Sequence, residues 1–145
     1  MLIEMSNGEK PWRSSVSAVA AYAMRGHARF VNTPLAALMV FGFARPKKHY
    51  TTKGLRLDAP AWHTGTPDAS KLARSVEDAL NAIVWDDDSR VAQLFVLKSY
   101  VELDESPGVA VKVAEADGLA TESAVDFYRR VAERRMECMD TEETR

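Results

Sequence analysis

The stretch PDASKLARSVEDALNAIVWDDDSR, residues 67–90, places acidic residues at both ends of one amphipathic run. Asp68 precedes the run, and three consecutive aspartates, 86–88, follow it. The apolar residues that share one stripe of a helix here are Leu72, Val76, Ala79, Leu80 and Ile83. Acid clusters at the two ends of a helix can fold back onto one point, and carboxylate oxygens suit Mg²⁺ or Mn²⁺. Because the cations Lys71 and Arg74 lie between the acids, the stretch predicts a site for a metal and a phosphate together, which indicates phosphodiester chemistry.

Length and composition predict one domain over residues 1–145. The hydrophobic fraction is 46% and the charged fraction 28%, both ordinary for a globular protein. No apolar run approaches the roughly 20 residues of a membrane span, and residues 1–10 lack the pattern of a secretory signal. The single cysteine, Cys138, argues against disulfides and, with three scattered histidines, against a zinc site. We therefore expect a cytoplasmic protein without a membrane partner.

Charge is distributed unevenly along the chain, although the net charge is only −2. Residues 1–67 hold nine Lys and Arg against three acids, and residues 68–145 hold ten against eighteen. The densest basic segment is residues 45–56, with Arg45, Lys47, Lys48, Lys53 and Arg56 and no acid. Such a segment beside an acidic pocket fits a grip on a polyanion. An ordinary solvated loop explains it equally well.

The rest of the chain predicts an α+β arrangement. Periodicity and turn residues divide it into a helix over 11–26, a buried strand Leu35–Phe43, a long loop over 45–67, a strand over 91–102, a hairpin turn at 104–108 leading into a strand over 109–113, and a helix over 121–139. Loops longer than about 12–15 residues are often functional, so the 45–67 loop is a candidate binding segment.

Several pieces of the sequence, in this order and spacing, resemble the RusA family of Holliday junction resolvases, which is common in phages and prophages. The resemblance is carried by Pro67-Asp68, Lys71-Leu72, Arg74, Asp78-Ala79-Leu80, Asp87-Asp88, Arg90-Val91 and Lys98, with flanking support from Trp12-Arg13, Arg45-Pro46-Lys47-Lys48 and Pro107-Gly108. It covers about residues 8–115. Each piece alone is weak, and the combined spacing is specific.

The resemblance implies a fold and an activity. The fold is α+β, with a small sheet of three to four strands packed with helices, in a homodimer. The activity is a Mg²⁺-dependent (or Mn²⁺-dependent) endodeoxyribonuclease that resolves four-way DNA junctions by paired nicks in recombination and repair. A two-fold dimer would present two sites to a two-fold junction. The implied location is the cytoplasm of a bacterial or phage-infected cell.

The resemblance also implies roles for particular residues. The catalytic residues are Asp68, Asp87, Asp88 and Arg74. The metal ligands are Asp68, Asp88 and Ser70. Apart from the resemblance, charge and place in the chain predict Arg45, Lys47, Lys48, Lys53, Lys71 and Lys98 as the DNA-binding residues.

Two departures from the family pattern leave alternatives open. Ser70 stands where the family has its second aspartate, and a hydroxyl supplies no negative charge to a metal. The alternative to an active enzyme is therefore a catalytically impaired protein that still binds junctions, or a remnant that neither binds nor cuts. We also expect the family's first strand to be absent, because the chain begins almost at its first helix; either the start codon was chosen too late or the sheet lacks that strand. Without the resemblance, Asp68 would be read as a helix cap and residues 86–88 as a solvated turn.

Overall fold

The structure, a computed structural model, describes residues 2–4, 9–103 and 105–116. Its helices and longer strands are β1 (Leu2–Glu4), α1 (Glu9–Ala23), β2 (Leu35–Phe43), β3 (Tyr50–Thr51), β4 (Gly54–Leu55), α2 (Ala69–Leu80), β5 (Val91–Tyr100) and β6 (Gly108–Glu115). Two short 3-10 helices, Lys47–His49 and Asp88–Arg90, precede β3 and β5. The predicted helix over 121–139 lies outside the described residues. None of the described helices is both long and apolar enough to cross a membrane.

The main sheet has four strands in the order β1-β6-β2-β5. Strand β2 pairs antiparallel with β6 and parallel with β5. Its sequence LAALMVFGF is nearly all apolar, and seven of its nine residues are buried, which is why it takes the centre. Because β5 runs parallel to β2, the chain crosses back over the sheet through α2. The α+β class and the small sheet are confirmed.

Three details of the predicted topology are wrong. Strands β5 and β6 do not form a hairpin, because β2 lies between them and pairs with both. The 45–67 segment is not a plain loop, since it contains a 3-10 helix and the small β3–β4 hairpin. The expected absence of a strand before the first helix is also wrong: β1 pairs antiparallel with β6. Strands of two or three residues are too short to give a readable alternation of apolar and polar residues.

Both helices pack on one face of the sheet. Their buried faces and the inward side chains of β2 and β6 form one core, which contains Trp12, Val16, Leu72, Val76, Leu80, Leu35, Met39, Phe41 and Val109. At the surface, Arg13 of α1 forms an ion pair with Asp78 of α2 at 2.8 Å. The predicted stripe of α2 is confirmed as far as Leu80. Ile83 lies beyond the helix, because Asn81 ends it and Ala82 adopts a positive φ of 64°.

Candidate active site

Asp68 lies at the carboxyl end of the parallel pair β2 and β5, immediately before α2. It occupies the N-cap position, yet its side chain makes no capping hydrogen bond. The exposed carboxylate lies 3.2 Å from the Nζ of Lys71, one turn along the helix. The capping interpretation of Asp68 therefore has no support in the geometry. The crevice outside the carboxyl ends of parallel strands is a common place for ligands.

Lys98 of β5 holds the segment that leads into Asp68. Its Nζ donates hydrogen bonds to the carbonyl oxygens of Gly65 and of Pro67, the latter at 2.6 Å. Residues 61–63 run antiparallel beside the end of β5, through an isolated bridge between Trp62 and Ser99. The sequence predicted Lys98 to face DNA, and its observed partners lie within the chain.

Aromatic and basic side chains support this end of the sheet. The rings of Phe43 and His63 stack with their centroids 3.9 Å apart, and the guanidinium of Arg45 lies 4.8 Å from the centre of the Tyr100 ring. Burial, and then the charge of Lys98, lowers the pKa of His63. The Nη1 of Arg45 donates to the carbonyl of Pro60 at 2.7 Å. Arg45 is thus partly committed to contacts within the protein.

The exposed lysines of the 45–56 segment face solvent. Lys47 and Lys48 lie in the 3-10 helix, and Lys53 lies in the turn between β3 and β4. Arg56 is paired with Asp58 at 2.9 Å. His49, in contrast, is only 8% exposed, and its ring packs edge-on against Tyr100. The three lysines remain the clearest candidates for phosphate contacts.

The aspartate triplet lies at the opposite end of α2. Asp86 accepts hydrogen bonds from Arg90, and these hold the pKa of Asp86 below its usual range. Asp87 accepts a hydrogen bond from the backbone N–H of Ser89 at 2.8 Å, which caps the 3-10 helix and lowers the pKa of Asp87. Both side chains are therefore held in local structure, whereas Asp88, which is exposed like Asp87, takes part in neither contact.

Glu77 is an acidic neighbour of Asp88 that the sequence analysis missed. Burial raises the pKa of Glu77, and the negative charge of Asp88 raises it further, while Arg74 opposes the shift. Glu77 follows Ser70 and Arg74 at helical spacings of seven and three residues, so the three share one face of α2. That spacing was the available signal. Arg74 and Glu77 thus lie on one face of α2, and the carboxylate of Asp88 is close enough to affect the pKa of Glu77.

Asp68 directly precedes α2, whereas Asp88 follows that helix and begins the 3-10 helix before β5. At the rise of an α-helix, the nine-residue step from Asp68 to Glu77 spans about 14 Å along the axis of α2. At the rise of a strand, the seven-residue step from Val91, near Asp88, to Lys98, near Asp68, spans about 23 Å along β5. Oxygen ligands of one ion must lie within about 2.0–2.6 Å of it. Within the described parts of the chain, no three His, Cys, Asp or Glu side chains group so as to hold a metal. The predicted ligands Asp68, Ser70 and Asp88 include only two such side chains, so the meeting of Asp68 and Asp88 of a single chain around one ion stays a prediction; α2 lies between the two residues along the chain.

Comparison with known proteins identifies the family. No curated protein matches the chain. A protein-family model described as Endodeoxyribonuclease RusA matches residues 3–114, which include both helices, all but the two end residues of the four-stranded sheet, and all the candidate site residues. The chain therefore belongs to the RusA family of Holliday junction resolvases, which are endodeoxyribonucleases.

Proposed function

We propose that this protein resolves four-way DNA junctions as a Mg²⁺-dependent (or Mn²⁺-dependent) homodimer. The observation that carries the proposal is the exposed carboxylate of Asp68, which makes no capping hydrogen bond and lies beside the carboxyl ends of the parallel strands β2 and β5. The family match supports a nuclease. The exposed lysines Lys47, Lys48 and Lys53 supply the positive charge that a DNA backbone requires.

The separation of Asp68 from Asp88 supports a site shared between two copies. Strand β5 is the edge of the sheet in the described part of the chain, and it exposes Leu94 and Phe95, 41% and 36% respectively. Edge strands with exposed apolar side chains are ready to pair with another chain. Two β5 strands related by a two-fold axis run antiparallel, so the start of one lies beside the end of the other. Asp88 of one protomer then approaches the region of Asp68 in its partner.

Each protein group has a chemical task in such a site. A bound Mg²⁺ would lower the pKa of a water and draw charge from the attacked phosphate. Asp68 and Asp88 supply the carboxylate oxygens that this ion prefers. Arg74 is placed to stabilise negative charge that develops on the phosphate. The basic segment holds the DNA strands through their phosphates, without regard to sequence.

Junction cleavage tests this function directly. Purified protein is mixed with a labelled four-way junction and Mg²⁺ or Mn²⁺, and the products are resolved on a denaturing gel. We expect symmetric paired nicks, and we expect Asp88→Asn to abolish them while junction binding in EDTA persists. Equal cleavage by the wild type and Asp88→Asn would contradict the proposal.

A second candidate function is junction binding without cleavage, and Ser70 favours it. Ser70 is exposed near the start of α2, close to Asp68 in sequence, and contributes no charge to a metal. This function predicts structure-selective binding in EDTA with no nicks in Mg²⁺ for the wild type. Ser70→Asp would then introduce cleavage, whereas Ser70→Ala serves as the matched control. Wild-type cleavage at the same rate as Ser70→Asp would eliminate this candidate.

A further inference from the structure

Lys98 uses its ammonium group on the protein's own backbone. Its Nζ donates to the carbonyls of Gly65 and Pro67 and lies 5.8 Å from the centre of the Phe43 ring. An ammonium has three N–H donors, so two are consumed within the chain. Hydrogen bonds from a charged donor are stronger than neutral ones. A lysine that grips DNA would instead present these donors to solvent.

The neighbours of Lys98 hold the same segment from its other side. The backbone N–H of His63 donates to the carbonyl of Lys98 at 3.1 Å, and the His63 ring stacks on Phe43. A Cβ placed on Gly65 would lie 3.3 Å from the Cε1 of His63, so the loop backbone packs directly against that ring. Residues 63–67 are thus wrapped around the Lys98 side chain, and the next residue is Asp68.

We propose that Lys98 is a positioning residue that fixes the 63–67 backbone and so orients the Asp68 carboxylate, and that it does not contact a DNA phosphate. The role of Asp68 rests on the proposed function, whereas the hold on residues 63–67 does not. A ligand carboxylate needs support to stay within about 0.5 Å of its productive place. The Asp68 carboxylate has no cap bond of its own, so the two carbonyl contacts one and three residues earlier supply that support.

The salt dependence of junction affinity separates positioning from DNA contact. Each lost phosphate contact reduces the slope of log affinity against log salt by about 0.9 for duplex DNA. Measured in EDTA, Lys98→Met is expected to keep the wild-type slope. The matched variant Lys48→Met removes an exposed lysine and shows how far the slope falls when one phosphate contact is lost. A slope smaller by about 0.9 for Lys98→Met than for the wild type would overturn the proposal.

Amide hydrogen exchange of the metal-free protein tests the hold on the loop itself. We expect Lys98→Met to speed exchange in a peptide covering residues 61–70 and to leave the peptide of β2 unchanged. Lys98→Arg is expected to restore part of the protection, because a guanidinium also donates to two carbonyls. Unchanged exchange over 61–70, or equal acceleration in β2, would overturn the proposal.

Cleavage kinetics connect the hold to the chemistry. At saturating junction and metal, Lys98→Met should lower the cleavage rate constant by about 10–100-fold, as small misplacements of reacting groups do. An unchanged rate constant would overturn the positioning role. If the wild type neither binds nor cuts junctions, the proposed function fails, and the exchange experiment still decides whether Lys98 orders residues 63–67.

Discussion

Glu77 couples the stability of the fold to pH at the end of α2 near Asp88. Burial first, and the Asp88 carboxylate second, raise its pKa in the folded protein. The folded state therefore holds the Glu77 proton more tightly than the unfolded state does. The contribution of Glu77 to the free energy of unfolding is fully present below its pKa in the unfolded chain, about 4.3. That contribution is lost as the pH rises through its pKa in the folded protein.

Glu77→Gln removes this loss, so the variant should gain stability over the wild type between pH 3.5 and pH 7. The gain should be small, because the side chain is partly exposed and screened by solvent. Urea unfolding at both values of pH measures the difference. Glu115→Gln, at the exposed end of β6, is the control. If the stability of the wild type increases relative to that of Glu77→Gln as the pH rises, the raised pKa of Glu77 is contradicted.

The family could be predicted from the sequence better than the positions of the candidate site residues. The spacing of Pro67-Asp68, Arg74 and Asp88 pointed to the family, which the family match confirms. The meeting of Asp68 with Asp88 stays a prediction, because spacing gives the separation along the chain and says nothing of how α2 places the two side chains in space. Lys98 was assigned to DNA from its place after the acid pair, and its carbonyl partners lie in a loop 31–33 residues away along the chain.

At the scale of elements, β2 contributes several of the buried side chains of the core. Phe41, in the second half of β2, is fully buried, and its backbone pairs with both β5 and β6. Phe41→Ala should lower the free energy of unfolding by about 3–5 kcal/mol, because it removes a large core side chain and leaves a cavity. Urea unfolding measures the change. Phe95→Ala on the exposed face of the edge strand is the control, and equal losses for the two variants at a protein concentration that keeps the chain monomeric would contradict this account.

Long apolar or amphipathic elements could be predicted from the sequence. Strands of two or three residues, and the pairing of strands that lie far apart in the sequence, could not. The nine-residue run of β2 has the predicted boundaries, and α2 has the predicted buried stripe. The order of strands in the sheet depends on which strand is buried on both faces. The turn residues near 104–108 gave no information on that, so a local hairpin was the wrong choice. The small β3–β4 hairpin has two residues in each strand, too few for periodicity to register.

At the scale of the whole molecule, the proposed two-fold pairing would account for features that one chain leaves separate. One copy presents Asp68 at one end of α2 and Asp88 at the other, and it leaves Leu94 and Phe95 exposed on an edge strand. Antiparallel pairing along β5 would bury the apolar side chains and bring unlike ends together. The same symmetry matches a junction in which two strands are cut.

Mixing two inactive variants distinguishes a shared site from a site within each chain. Asp68→Asn and Asp88→Asn should each abolish cleavage as homodimers. After subunit exchange, a heterodimer with a shared site keeps one site in which the native Asp68 of one protomer meets the native Asp88 of the other. That mixture should therefore nick one strand of the junction, without the paired second nick.

Two controls make the mixing experiment decisive. Phe95→Glu places a charge in the proposed interface, so introducing it into both variants should prevent recovery and shift sedimentation velocity towards the monomer. A mixture of Asp68→Asn with wild type should show single nicks as well, which confirms that subunits exchange. If exchange is shown and the two inactive variants still yield no nick, the two aspartates do not act across the dimer, and the arrangement proposed for β5 is wrong.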